Sequence, residues 1–212
     1  MKTLNIWDRM SAGLAAVAFA ATAGLYSRLP DPMPVHFDAH GVANGYMPRW
    51  LGASFGFIVG GIVFALLRGG DRVVPDRWRT RMHASPMGAV SFIVVVLLAG
   101  VQGIVLYAGV GSPPNVARVT AFVLGVFWLL FGLVMPRIRR NPYAGIRTPW
   151  TMTSDEVWAR THRLGGHLTV IAAVICLFGA VIGSLPLAVA AILVSALVPV
   201  VYSYLVARRV NA

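Results

Sequence analysis

Six long apolar stretches divide this chain, at roughly 10–27, 51–67, 87–110, 119–135, 166–184 and 187–206, and none contains a charged side chain. A helix needs about 20 mostly apolar residues to cross a bilayer core. Inside lipid, backbone N–H and C=O groups must be satisfied within their own segment, so the helix is the economical spanning form. The stretches therefore predict an all-α, polytopic membrane protein with six transmembrane helices. Composition agrees, with 58% hydrophobic and 12% charged residues, against about 25% charged in a soluble domain. Six helices and their loops account for the 212 residues as one membrane domain, 1–212, with three spans in 1–110 and three in 111–212. The single cysteine, Cys176, lies in the fifth stretch and reads as a small packing residue.

The net charge of +11 is explained by position, not by affinity for nucleic acid. Lys2 and Arg9 precede the first stretch. Arg68, Arg72, Arg77, Arg79 and Arg81 lie between the second and third. Arg137, Arg139, Arg140, Arg147, Arg160 and Arg163 lie between the fourth and fifth, and Arg208 and Arg209 follow the sixth. Only Arg28, Arg49 and Arg118 fall on the other side. The positive-inside rule places the larger group in the cytoplasm, and both termini with it. Basic loops on that side also suit anionic lipid head groups, at about 1 kcal/mol per arginine near the surface. The first stretch has features of a secretory leader, including small-residue sites such as Ala18-Phe19-Ala20, and cleavage there would leave five spans. Its apolar run continues to Tyr26, longer than a leader core, so a retained first span is the expectation.

Non-lipid sequence is concentrated in two loops, 28–50 and 141–166. The first, outer by the charge argument, holds four prolines and cannot be regular helix throughout. Asp31-Pro32 and Met33-Pro34 hold it extended, while His40-Gly41 and Asn44-Gly45 read as turns. Tyr46 and Trp50 suit the membrane interface. The second loop is inner. Thr153 followed by Glu156 matches a capping box, and Val157, Thr161, Leu164 and Leu168 recur at helical spacing. A short amphipathic interfacial helix over about 154–164 is expected before span five, anchored by Trp150 and Trp158. The segment 68–82 reads as a plain basic connection. Each half runs through three spans and one long loop, a layout compatible with an inverted repeat.

The two loops resemble the SdpI family of bacterial membrane proteins. The segment 141–163, N-P-Y-A-G-I-R-T-P-W-T-M-T-S-D-E-V-W-A-R-T-H-R, is similar to that family's signature through Asn141, Gly145, Arg147, Thr148, Trp150, Thr151, Trp158, Thr161 and His162. The outer segment resembles a domain of unknown function often found ahead of it, through Pro34, His36, Phe37 and Gly41. The resemblance implies a multi-pass protein of the bacterial inner membrane that confers immunity to, or senses, a secreted peptide toxin and holds a cytoplasmic repressor at the membrane. On that reading the partner-binding candidates are Asn141, Arg147, Thr148, Trp150, Thr151, Glu156, Trp158 and His162.

Two other function classes stay open at this point. His36, Asp38 and His40 lie within five residues, and imidazole with carboxylate suits a divalent metal. A metal-dependent membrane enzyme would use them; the plainer reading is that they brace the loop. A small-molecule or lipid transporter is the alternative suggested by the paired halves, although a proton-coupled pump would carry more ionisable groups at depth. His162 and His167 are five apart and share no helix face; His162 is expected to bond a loop carbonyl or Asp155, and His83 to lie at the interface. Arg147, Asp155, Glu156, Arg160 and Arg163 form a mixed-charge cluster that orders the loop or docks a partner. Gly56-x-x-x-Gly60 is a helix-packing pattern, and Gln102 is the polar residue expected to bond across helices. No nucleophile motif, P-loop, nucleotide fingerprint or metalloprotease helix appears, so no catalytic residue and no firm cofactor is expected.

Overall fold

The computed structural model describes residues 5–38, 41–73, 75–83, 85–111 and 115–210, with the backbone alone described at 64–73, 77, 79 and 83. Helices dominate: α1 (Ile6–Leu25), α2 (Arg49–Val73), α3 (Asp76–His83), α4 (Met87–Val110), α5 (Val116–Val134), α6 (Pro149–Thr153), α7 (Asp155–Ile182) and α8 (Leu185–Val210). Short 3-10 turns extend α1 to Arg28 and α5 to Arg137. Among the described residues, five helical segments are long and apolar enough to cross a membrane: Ile6–Arg28, Met87–Val110, Val116–Arg137, Asp155–Ile182 and Leu185–Val210. The apolar part described in α2, Arg49–Val63, is shorter.

The described part of the loop 28–50 carries a pair of β-strands, so the chain is not helical throughout. Strand β1 (Met33–Phe37) pairs antiparallel with β2 (Ala43–Met47), with a register shift around His36. The turn is built by Asp38: its N–H donates to Val42 O, its Oδ1 accepts from Val42 N, both at 2.9 Å, and Gly41 occupies the left-handed region at φ 81°. Asn44-Gly45, expected as a turn, lies within β2. Gly45 is required there because a Cβ would sit 2.8 Å from the His36 Cβ. The hairpin is bolted down by Met33, fully buried with Leu29, Ala53, Val105 and Leu106. Asp31 Oδ1 accepts from Arg49 N at 3.1 Å, and the Arg49 guanidinium lies 5.8 Å from the centre of the Tyr26 ring.

In the first part of the bundle, α4 packs against α1 and α2. Gln102 of α4 is 3% exposed and bonds the α2 backbone twice, accepting from Gly56 N at 3.2 Å and donating to Ala53 O at 3.0 Å. A cavity of about 350 Å³ borders this contact, walled mainly by Ala and Gly of α1 and α2 and by Val95 and Leu98 of α4. In the second part, α7 packs against α5 and α8. Gly125 and Gly132 let α5 approach α7, where a Cβ would come within 2.9 Å of Leu177 and Val170. Trp128 Nε1 donates to Ser195 Oγ at 2.9 Å, tying α5 to α8. Helix α7 ends at Gly183, φ 79°, and Arg118 lies over that end, its Nε 3.2 Å from where a Gly183 Cβ would stand.

Two expectations change. No separate amphipathic helix covers 154–164; those residues are the first turns of one unbroken α7, capped by Ser154 and not by Thr153. The apolar stripe of the sequence continues into the span, so nothing breaks the helix. The connection at 68–82 is also not plain, because it carries α3.

A glycine comparison tests the α2–α4 contact. A Cβ on Gly56 would lie 2.6 Å from Gln102 Oε1, and the amide can yield only by releasing its bonds, whereas a Cβ on Gly61 meets nothing within 4 Å. Gly56→Ala should lower the thermal unfolding midpoint in detergent. Gly61→Ala should leave it unchanged or raise it, since alanine favours helix by about 0.5–1 kcal/mol. Equal shifts in the two variants would refute this packing.

Candidate functional site

Past Arg137 the chain must leave α5, cross the bundle end and enter α7 while much of its backbone is shielded from water. Buried N–H and C=O groups need partners, and the residues at 138–162 supply them. Asn141, wholly buried, is the first. Its Oδ1 accepts from Tyr143 N and Ala144 N, both at 2.8 Å, and its Nδ2 donates to Arg139 O at 2.8 Å and Ala144 O at 3.1 Å. One side chain thus uses all four of its hydrogen-bonding positions to fold the turn.

His162, also wholly buried, is the second. Its Nε2 accepts from Ile146 N at 3.0 Å and therefore carries no proton; its Nδ1 donates to Trp158 O at 2.8 Å. The imidazole is neutral, and both nitrogens are engaged. It stacks on Trp158 with ring centres 4.0 Å apart, and Trp158 Nε1 donates to Ile138 O at 2.7 Å. The two rings form a floor on which the loop rests. Gly145 passes directly over it at φ 118°, where a Cβ would collide with His162 Nε2 and come within 3.0 Å of Trp158.

A threonine pair comes next. Thr148 caps α6 by accepting from Thr151 N at 3.2 Å, and Thr151 Oγ1 accepts from Thr148 N at 2.8 Å. Thr151 Oγ1 also bonds Ile146 O at 2.8 Å. Pro149 opens α6, where its missing N–H costs nothing. Helix α6 is then tied to α8: Trp150 Nε1 donates to Ser203 Oγ at 2.5 Å, and Thr148 Oγ1 lies 3.4 Å from the same oxygen. Thr161 is buried, and its Oγ1 has no hydrogen-bond partner among the described residues.

The charged residues form the rim. Asp155 Oδ1 meets Arg81 Nη1 of α3 at 2.5 Å and Arg140 Nε at 2.7 Å. Arg81 and Arg140 both lie over the Trp78 ring, at 6.0 and 5.8 Å. Ser85 Oγ accepts from Arg139 N at 3.0 Å. The connection before α4 is thereby joined to the loop. Glu156 and Arg160 pair along α7 at 2.6 Å, both about half exposed, in a contact worth roughly 0–1 kcal/mol. Arg147 is exposed and donates to Pro142 O.

Of the sequence-derived candidates, Asn141, Thr148, Thr151, Trp158 and His162 are buried and hold the loop's shape. Trp158 is a core residue (2% exposed) instead of an interfacial anchor, and His162 bonds Ile146 N and Trp158 O, not Asp155. Arg147 and Glu156 face outward, and Trp150 is half-buried. Ser203, Ser85, Trp78 and Arg81 belong to the same unit although sequence reading did not single them out. A serine inside an apolar stretch was the available signal for Ser203.

At the hairpin, His36 Nδ1 lies 2.5 Å from Asn44 Oδ1, and Asp38 is committed to the turn. His40 lies outside the described residues, as do the His83 side chain and part of the 68–82 segment. Among the described residues no group of three His, Cys, Asp or Glu side chains is placed to hold a metal.

Two variants follow. Gly145→Ala meets both a disfavoured φ and the buried ring pair, and should cost about 2–4 kcal/mol. Asn141→Ala removes four bonds and strands two N–H groups, and should cost about 2 kcal/mol or more. Both should appear as lower unfolding midpoints in detergent, and protein at wild-type stability in both would contradict the clasp.

Comparison with known proteins finds a match over this unit. Residues 137–203 match the SdpI/YfhL protein family, and residues 13–60 match a domain of unknown function, DUF1648. Over 78 residues the chain is 27% identical to the Immunity protein SdpI of Bacillus subtilis (strain 168); the match covers 37% of this chain and 38% of that relative. No solved structure matches. The chain is a multi-pass protein of the bacterial inner membrane, similar to the SdpI/YfhL family in its last third and to DUF1648 near its start.

Proposed function

We propose that this protein is an immunity protein of the SdpI type, protecting its host membrane from a membrane-active peptide. The observation that carries the reading is a coincidence of two boundaries. The self-satisfied clasp at 138–162, with its tie to Ser203, occupies the segment 137–203 that matches the SdpI/YfhL family, whose name the similar B. subtilis immunity protein shares. A segment that spends its polar residues on internal bonds presents a fixed shape, and fixed shape serves recognition. The clasp's histidine has both nitrogens engaged, which favours a binding protein over an enzyme.

The proposed topology has six spans, with α2 as the second, and both termini in the cytoplasm with the clasp. The hairpin and the start of α2 then stand outside and receive the peptide through Val42, Tyr46 and Trp50, which are 61%, 57% and 62% exposed. The clasp rim at Arg147 and Glu156 is where a cytoplasmic repressor would dock. His36 and Asp38 brace the hairpin on this reading; a divalent ion shared with His40 is the competing role. The cavity beside Gln102 is mainly apolar-walled, which argues for packing over a polar transport path.

Deletion of the gene should sensitise the host to the cognate peptide, and restored expression should reverse it. Val42→Ser with Tyr46→Ala should reduce that protection while membrane abundance stays level; unaltered protection would remove the hairpin's role. For topology, single cysteines at Val42 and Glu156 in a Cys176→Ser background should react with an impermeant maleimide from opposite faces. Labelling of both from one face would overturn the six-span arrangement.

A further inference from the structure

On the clasp side of the bundle, α7 and α8 border an open groove of about 500 Å³ formed by Arg160, Arg163, Leu164, His167 and Tyr202. Arg163 and His167 are exposed, and neither makes an ion pair among the described residues. Arg160 is offset by Glu156, so Arg163 is the uncompensated charge. Guanidinium, imidazole and phenol here offer N–H and O–H donors around one opening, a donor set suited to phosphate oxygens.

What lies beyond the opening selects the kind of phosphate. On α7, His167 is followed at helical spacing by Ile171, Val174 and Phe178, which are 55–59% exposed. On α8, the row through Tyr202 continues to Val198 and Val194, 42% and 58% exposed. Residues spaced three and four apart share a helix face. Each helix that borders the basic opening thus carries an exposed apolar row one to three turns further along. A polar, cationic mouth above an apolar track complements one molecule with a charged head and a hydrocarbon tail.

We propose that this groove is a binding site for a single anionic phospholipid. Its phosphate is held by Arg163, His167 and Tyr202, and an acyl chain lies along Ile171, Val174 and Val198. Basic pockets between membrane helices are known to take such head groups. The site is independent of the immunity reading, because it needs only that α7 and α8 lie in a bilayer.

The test titrates phosphatidylglycerol, phosphatidylcholine and inorganic phosphate separately into the purified, delipidated protein in detergent and follows the thermal unfolding midpoint. A ligand that binds only the folded state raises the midpoint with its concentration. Phosphatidylglycerol should raise it and phosphatidylcholine should not. Arg163→Gln with His167→Gln, both at exposed positions, should weaken the apparent affinity about tenfold. Arg208→Gln with Arg209→Gln, basic residues outside the groove, should leave it within about twofold of wild type. The proposal fails if the two lipids act alike, if inorganic phosphate alone reproduces the effect, or if the two double variants lose affinity equally.

Discussion

The demand that shielded backbone be hydrogen-bonded governs this protein twice. Within the spans it is met by helix geometry. Between α5 and α7 it is met by side chains, because the chain has to turn where water is scarce. Asn141, Thr151 and His162 are the substitutes for water there, each bonding main-chain groups of the loop. The segment 141–162 is, in physical terms, a set of such substitutes plus the glycine that lets the loop lie on them.

That arrangement makes the basic end of the bundle a single unit assembled from separate parts. Trp158 and His162 bring in α7, Ser203 brings in α8, and Asp155 with Ser85 brings in the connection before α4. The buried bonds are specific and the exposed charge pairs weak. Shape at this end is therefore set from within, while the rim can vary its charges at small cost.

Much of the architecture was legible in the chain. Apolar runs without charge located the helices, since length and composition alone decide whether a segment can cross lipid. Gln102 was readable as a cross-helix bond for the same reason that Gly56 was readable as a contact: a polar group or a missing side chain inside such a run needs a partner. The hairpin was not legible as sheet, because proline and turn residues forbid helix without specifying a pairing register. Nor was the continuity of α7, since an amphipathic start followed by an apolar run describes a surface helix and a long span equally well. The buried role of Trp158 and His162 was hidden too. Residue type does not reveal burial, and the loop glycine that covers them looks like any other turn residue.

Arg118 shows how charge bias and fold can be separated. Its side chain lies over the Gly183 end of α7, where the last unpaired carbonyls gather the negative pole of a 28-residue helix. A cation parked at that pole answers a local dipole. Arg140, Arg147 and Arg160 lie at the opposite end of this bundle, around the clasp, where carboxylates and main-chain carbonyls, and no helix C-terminal pole of α7, are their partners.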